Sequence, residues 1–440
     1  MGRKSVFAMT LMIVLINVSA VSLELQRAKA GGTIYIRADG SIDPPTSYIQ
    51  RDGEVYTFTS DISDSIVIQK DDIILDGAGY TLQGTNFAGT GIHMQYRSNI
   101  TIKNMKIAGF DFGTYIFECS KSTIISNNIT GNRYGVYLLD SSENELRNNR
   151  IFNNTWNFFV FGPRLEDFLN DIDDTNTVDG KPMYYWTDEA DRSVPSNAGF
   201  VALVSCTRIT VENASLSNNG QGILLAYTTN STIIKNTLQD NIVGIRIRYS
   251  SGNILYDNII TSNNFGVELD ISSKNNISAN SIVDNPAGLD LSGSTANTIS
   301  ENNIVNSKSY GLKLHEGSND NTISANNITN NNLGMRFEGS SSNRIYNNSF
   351  INNMVQVATS NSVNFWDSGY PSGGNYWSDY TERYPNASEI DGSGIWDTPY
   401  IIDQNNQDNY PIIPQFPSFL SLIPLFMLAT LLAIIVSRKA

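Results

Sequence analysis

The chain has 440 residues, of which 16% are charged; 29 Lys and Arg stand against 43 Asp and Glu, giving a formal net charge of −14. A weakly charged, acidic chain is a poor partner for nucleic acid or anionic lipid, which are themselves polyanions. Two cysteines exclude a disulfide-built scaffold, and the length leaves room for one elongated body.

At the start, Arg3 and Lys4 precede an apolar run from Val6 to Leu23. Ala28-Lys29-Ala30 offers a small-x-small cleavage site, with Val18-Ser19-Ala20 as an alternative. Residues 1–30 are expected to form a signal peptide or an uncleaved anchor, and 31–90 an N-terminal cap with the first coils.

From about Ser98 to Ser362 one unit recurs roughly every 22 residues. Its landmark is a glycine that opens a short alternating run: Gly91, Gly113, Gly135, Gly199, Gly222, Gly244, Gly266, Gly288, Gly311 and Gly334. Asn157 holds the landmark place after Gly135, and an insertion, 163–198, follows it. Aliphatic residues lie six before the landmark (Ile107, Ile129, Leu238, Ile282), eleven before it (Ile124, Leu146, Ile233), and one and three after it (Val136/Leu138, Ile245/Ile247). Such period-2 stretches of four or five residues, bounded by Asn, Ser and Gly, are strands. Three strands per repeat, each unit burying its apolar face on the next, predict an all-β parallel β-helix of about 12 coils over 91–362. At about 4.8 Å per coil the rod is on the order of 50 Å long.

Asn236, Asn258, Asn280, Asn303, Asn326 and Asn348 recur at the coil period, and a second series runs through Asn241, Asn263 and Asn285. Asn tolerates left-handed backbone and stacks as an amide ladder, so both series are expected at turns. Cys119 and Cys206 follow landmarks three coils apart, roughly 14 Å along the rod, and should stay unbridged and buried.

The strand after each landmark presents its second and fourth residues outward. The second column is His93, Tyr115, Tyr137, Phe159, Val201, Leu224, Arg246, Glu268, Asp290, Lys313 and Arg336. The fourth is Gln95, Phe117, Leu139, Phe161, Leu203, Ala226, Arg248, Asp270, Ser292, His315 and Glu338. The apolar half needs a cover, and the insertion, with Phe168, Tyr184, Tyr185 and Trp186, is expected to fold back over Tyr115, Tyr137, Phe159, Phe117 and Phe161. A bare aromatic strip on which sugar rings stack is the alternative.

In the charged half Glu268, Asp270 and Asp290 fall within roughly 5–8 Å of one another, near the carboxylate separations of glycosidases. They are the catalytic candidates, and Arg246, Arg248, Lys313, His315, Arg336 and Glu338 complete a candidate binding face. Each acid has a basic neighbour, Arg246 for Glu268, Arg248 for Asp270, Lys313 for Asp290 and His315 for Glu338. A compensated ion-pair ladder is therefore favoured over a catalytic pair.

Residues 363–413 change composition, with Trp366, Tyr370, Tyr376, Trp377, Tyr380, Trp396 and Tyr400 among Asp, Gly and Pro. They are expected to cap the open end of the β-helix. Asp391, Asp397, Asp403, Asn405 and Asp408 offer oxygen ligands for calcium, although no EF-hand loop is present. Phe419 to Val436 is an apolar stretch followed by Arg438 and Lys439, long enough for a transmembrane helix with the C-terminus inside. The rod should stand outside the cell, tethered at its C-terminal end. Sequons at Asn99, Asn128, Asn153, Asn213, Asn230, Asn276, Asn327, Asn347 and Asn386 suit a glycosylated exterior.

Segments such as Asn128-Ile129-Thr130-Gly131-Asn132-Arg133-Tyr134-Gly135-Val136-Tyr137-Leu138 and Asn219-Gly220-Gln221-Gly222-Ile223-Leu224-Leu225 resemble the NosD-type β-helix repeat. That repeat belongs to the wider group of carbohydrate-binding proteins and sugar hydrolases with right-handed parallel β-helices. The stretches 176–186 and 369–380 are similar to archaeal members of the group, and Pro414-Gln415-Phe416-Pro417 resembles the motif of archaeal sorting tails. The resemblance implies a right-handed fold and leaves activity open. It also raises copper, since NosD is associated with copper supply to nitrous oxide reductase. Copper needs clustered His, Cys or Met, and the two histidines, His93 and His315, are some 40 Å apart at about 4.8 Å per coil, so no copper site is expected. Two functional classes stay open: a surface glycan-binding or structural protein in contact with cell-envelope components, and a carbohydrate-active enzyme using Glu268, Asp270 and Asp290. A copper accessory role rests on the family name alone.

Overall fold

Coils are built from one six-residue and two three-residue strands, as in Val243–Arg248, Ile254–Tyr256 and Ile259–Thr261. Each strand pairs in parallel with its equivalent one coil on. The computed structural model describes residues 32–413. The expected signal or anchor at 1–30 and the expected span at 419–436 lie outside the described residues. Among the described residues no helix is long and apolar enough to cross a membrane. The solenoid has about 14 turns, two more than the landmark count, because Thr33–Ile36 and Ser65–Ile68 already stack beneath Thr90–Gln95.

Alternation fixes which residues turn inward. Ile245, Ile247, Leu255 and Ile260 of one coil are fully buried, and Val267, Leu269, Ile277 and Ile282 lie over them in the next. Burying an aliphatic side chain of this size contributes about 1.5–3 kcal/mol, so each coil is stabilised mainly by its neighbours. The landmark glycines mark a close backbone approach: a Cβ on Gly266 would sit 2.4 Å from the carbonyl oxygen of Gly288. Cys119 and Cys206 are buried, unbridged, and in separate cores.

The asparagine ladders form, with adjustments. Asn236 N and Nδ2 donate to Asn258 Oδ1 at 2.9 and 3.0 Å, and its Nδ2 also donates to Val211 O at 2.9 Å. The same pattern continues through Asn280, Asn302, Asn326, Asn348 and Asn375. Asn302 takes the rung expected of Asn303. A third ladder, Asn253, Asn275, Asn297, Asn321, Asn343 and Asn364, runs beside the two expected ones. The left-handed backbone falls one residue before the rung, at Lys235, Asp257, Ala279 and Glu301, with φ between 53° and 58°. Rung side chains thus serve as acceptors for turn N–H groups, while residues of several types take the bend.

The insertion does not fold back as a flap. Its Asp171–Ile172 and Thr177–Val178 stack on the preceding coil, and Val178-Asp179-Gly180-Lys181 turns antiparallel into Lys181–Thr187, on which Phe200–Val204 pairs. A single 14-stranded sheet therefore runs through both halves of the protein. Leu82, Ile107, Ile129, Ile151 and Val178 face the first core, and Met183, Tyr185, Phe200, Ala202, Leu224 and Ala226 join it from the same face. Val201, Leu203, Ile223 and Leu225 point from the opposite face into a second core, with Tyr184 and Trp186 packed against it. The two solenoid halves thus lie on opposite faces of one shared wall. Val201 and Leu203, expected outside, are inside, because Val201 pairs with Ile223 and so Phe200 rather than Gly199 aligns with Gly222.

At the junction Phe159 packs on Gly220, and Gln221 Nε2 donates to Val160 O at 2.9 Å. Asp140 lies close by: burial, with the charges of Asp167 and Glu118, pushes its carboxyl up to about 6, against the pull of Arg164 and Arg248.

At the far end, residues 363–413 close the last coil. Trp377 stacks between Phe350 and Tyr400 at 4.4 and 4.1 Å, and Asn375 N donates to the buried Asp408 carboxylate at 2.7 Å, ending the ladder.

Two outcomes are expected. Asn258→Ala leaves the buried Asn236 N–H without its acceptor and takes a side-chain donor from Ile233 O, and should destabilise the protein by roughly 1–3 kcal/mol in chemical denaturation. A loss well under 1 kcal/mol would mean that the ladder is ornamental. For Asp140, whose raised folded value exceeds the ordinary 3.8, the stabilising protonated form is complete at about pH 4 and is lost as pH rises through about 6. Asp140→Asn should therefore raise the thermal midpoint at about pH 8 and leave it nearly unchanged at about pH 4; an offset independent of pH would refute this.

Candidate functional site: the outer face of the shared sheet

The face of the sheet that encloses the first core emerges from it as the outer surface of the second half. Leu224 pairs with Arg246 and Ala226 with Arg248, so the hydrophobic columns run directly into charged ones. The guanidinium groups of Arg246 and Arg248 lie 5.1 and 4.7 Å from the Phe161 ring, in the corner where the first half ends.

Glu268 accepts Arg246 Nε at 2.8 Å, and Asp270 pairs with Arg248. The structure does bring Glu268, Asp270 and Asp290 onto adjacent strands, with Glu268 opposite Asp290. Neither Glu268 nor Asp270 is an unpaired carboxylate. Further along, the pairing departs from expectation. Lys313 is opposite Asp290 in register, yet its Nζ reaches forward to Glu338 at 3.1 Å, and Arg336 also bonds Glu338. Burial pushes the Glu338 carboxyl up, but Lys313 and Arg336 outweigh it and hold it below its ordinary value. His315, opposite Glu338, turns back instead, and its Nε2 lies 2.8 Å from Asp290 Oδ1. The diagonal arises because the Tyr310 hydroxyl donates to Asp290 Oδ2, fixing the short Asp side chain near its own strand. Burial, then Asp290, pushes the Tyr310 phenol up.

Tyr310 belongs to a column that alternation hides. In the regular coils the residue before the landmark glycine also faces outward, since the strand kinks there and the register skips the glycine, as in Phe265↔Ala287 followed by Val267↔Leu289. Phe112, Tyr134 and Trp156 are its members in the first half, and the Phe112 ring lies 5.2 Å from Tyr115 and 5.3 Å from Tyr137. The signal was present in the sequence as an aromatic one residue before the landmark position, Gly113, Gly135 and Asn157, in consecutive coils.

The aromatic half of the face is held by its own stacking. Tyr115 stacks on Tyr137 at 5.6 Å, Tyr137 on Phe159 at 4.4 Å, and Phe112 on Tyr134 at 4.6 Å. Rings stacked along the rod spend their faces on one another and turn their edges to solvent, which is the wrong presentation for a sugar ring. Their cover is mutual stacking and the junction, rather than the insertion, whose Phe168 and Tyr185 are buried in the first core.

The acids of the C-terminal cap serve separate loops. Asp391 accepts the Tyr370 hydroxyl, and Asp397 accepts Ser388 N and the Thr398 hydroxyl. Asp403 accepts Asn405 N and Asn406 Nδ2, while Asp408 accepts Asn375 N, Trp377 Nε1 and Tyr410 N. Burial pushes the Asp408 carboxyl up to about 7. The expected calcium ligands are thus not gathered: among the described residues no group of three or more His, Cys, Asp or Glu is placed to hold a metal ion.

Residues 189–382 match the family described as periplasmic copper-binding protein (NosD), and residues 48–166 match the right handed beta helix region. The described residues do not fit copper. The buried His93 Nε2 has no hydrogen-bond partner, but Val67 and Tyr115 flank it in register and supply no second soft ligand. His315 is engaged by Asp290, and Met94, Met105, Met183 and Met335 are in the cores. No curated protein matches the chain. Solved structures similar to it include the Azotobacter vinelandii mannuronan C-5 epimerase AlgE6 A-module, at 13% identity over 68% of this chain and 90% of that one, with a TM-score of 0.36. The periplasmic alginate epimerase AlgG gives 13% over 75% and 72%, with a TM-score of 0.37. The Dettilon tailspike protein gp208 gives 16% over 60% of each chain, with a TM-score of 0.28. These likenesses are too loose to transfer an activity. The coil geometry and the two family matches together make the chain a NosD-like right-handed parallel β-helix protein.

Proposed function

We propose that this protein is an extracytoplasmic glycan-binding β-helix protein whose outer face, from Arg246 to Glu338, takes an uncharged saccharide chain. The observation that carries this reading is the balance of the face. Four cations, Arg246, Arg248, Lys313 and Arg336, meet four carboxylates, Glu268, Asp270, Asp290 and Glu338, and every carboxylate is engaged. Their side chains are held half-buried on adjacent rungs, so hydroxyl groups would meet prepaid donors and acceptors with little ordering cost. A matched face repels neither sign and gives a polyanion nothing to neutralise. The periplasmic description of the family matched over 189–382 supports an extracytoplasmic location. Tethering through 419–436, and contact with cell-envelope glycans, belong to the same proposal and are supported by composition alone.

On a glycan array the protein should bind neutral polysaccharides, with Arg246→Ala and Lys313→Ala each weakening binding by about tenfold in variants whose circular dichroism matches that of the native protein. An array without hits, or hits indifferent to both substitutions, would sink the proposal.

One observation favours a second reading, a carbohydrate-active enzyme. Asp290 bridges the Tyr310 hydroxyl and His315 Nε2; with the proton on Nε2, Nδ1 is left as an acceptor on an oriented imidazole, the arrangement of a general base. Under the binding reading, array-positive glycans are recovered intact after long incubation. Products that form with the native protein and vanish in His315→Gln, while binding survives, would replace binding by catalysis.

A further inference from the structure

Where the last coil meets the cap, the strand Val355–Ser360 and the helix Tyr380–Arg383 enclose a cleft of about 470 Å³. It lies beyond the last rung of the charged ladder and touches none of that ladder's residues. Its floor is a fixed polar network. Asn353 Nδ2 donates to Gln356 Oε1 at 2.8 Å, and Gln356 Nε2 donates to Ser378 Oγ at 3.1 Å and Asp379 Oδ1 at 3.2 Å. The Tyr400 hydroxyl donates to Asp379 Oδ2 at 3.0 Å. Tyr400 is itself clamped between Trp377 at 4.1 Å and the Arg383 guanidinium at 4.3 Å.

The walls, in contrast, hold groups whose capacity is unspent. Glu382 is exposed and its carboxylate makes no hydrogen bond or ion pair among the described residues; the side-chain amide of Asn352 is likewise unengaged. Beside them Met354 is 80% exposed and Val355 47%, an apolar ledge that a solvated rod end has no structural need to present. A carboxylate acceptor, an amide with both donor and acceptor, and an apolar ledge over a rigid floor form the complement of a pyranose ring, which carries hydroxyl groups around its edge and C–H bonds on its face. The volume lies within the ordinary range of small-ligand sites, roughly 300–1,000 Å³. Asp379 and Glu382 against Arg383 leave one negative charge in excess, which disfavours a sugar acid.

We propose that this cleft is a saccharide site in its own right, taking one uncharged or amino-bearing pyranose ring and rejecting a uronate. It does not rest on the ladder reading, and either can fail alone.

The test is saturation-transfer NMR on the protein with the methyl glycosides of glucose, glucosamine and glucuronic acid. Transfer to the first two and none to the third is expected, with affinity falling about tenfold in Glu382→Ala, the loss of one hydrogen bond to a charged acceptor. Val355→Trp fills the cleft without removing a hydrogen bond and should abolish transfer, and an unchanged thermal midpoint certifies the fold of both variants. Absence of transfer to any glycoside, equal transfer to the glucuronide, or transfer that survives both substitutions would overturn the proposal. Transfer lost in Arg246→Ala instead would move the sugar to the ladder and overturn it equally.

Discussion

Most turns of the regular coils leave a buried backbone N–H that its own coil cannot satisfy, and the acceptor is an Asn, Ser or Thr side chain one coil away. Asn258 Oδ1 receives two donors from Asn236, and Asn258 in turn donates to Asn280. A coil is consequently incomplete on both of its open sides, in hydrogen bonding as well as in apolar burial. The solenoid must either continue or end on something that imitates a coil. The cap does the latter: Asn406 Oδ1 accepts Asn364 N, and Asp408 accepts Asn375 N, so acceptors from outside the repeat stand in for the next rung.

The same constraint explains the shared wall. An insertion between Asn157 and the next regular coil could have been expelled as a loop, but the first core would then have lain open at its end. Instead the turn at Asp179-Gly180 hands the long sheet over to Lys181–Thr187, and Met183, Tyr185, Phe200, Ala202 and Leu224 seal the first core from its side. A sheet with apolar residues on both faces is what a wall between two cores requires, and Phe200–Val204 and Gln221–Ala226 are buried at every position. Once past that wall, the face that had been core becomes surface, and Arg246 and Arg248 mark the change. The position of the candidate site is thus a consequence of how the first half is closed.

Much of this was legible because the repeat is strict. Three strands per coil, the inward columns and the ion pairs Arg246–Glu268 and Arg248–Asp270 follow from spacing alone. The misplacement of Val201 and Leu203 also has a spacing cause. Gly199 and Gly222 are 23 apart, as are Gly288 and Gly311, yet the latter pair stays aligned, with Leu289 opposite Leu312, while the former does not. An extra residue is absorbed in a turn in one case and shifts a strand in the other, and only the packing around Phe200 decides which. Tyr310 was hidden for a different reason: alternation assigns the residue before the glycine inward, and the kink at the glycine reverses it. The diagonal from His315 to Asp290 depends on that hidden hydroxyl and could not be derived without it.

Whether such a face binds or reacts turns on what its charges already do. A carboxylate that serves as a nucleophile or base must be free to give or take a proton or a bond, and Glu268 and Asp270 each hold a guanidinium on the adjacent strand. Breaking such a half-buried pair to release the acid would leave an arginine unsatisfied next to Phe161, at a cost larger than an exposed pair would carry. Asp290 differs, because its partners are a phenol and an imidazole, groups that can move protons while remaining in place. Any chemistry on this face would therefore begin at the rung of Tyr310 and His315 and use the arginine rungs to hold the chain. Those arginine rungs are, on this physical ground, recognition elements under either reading.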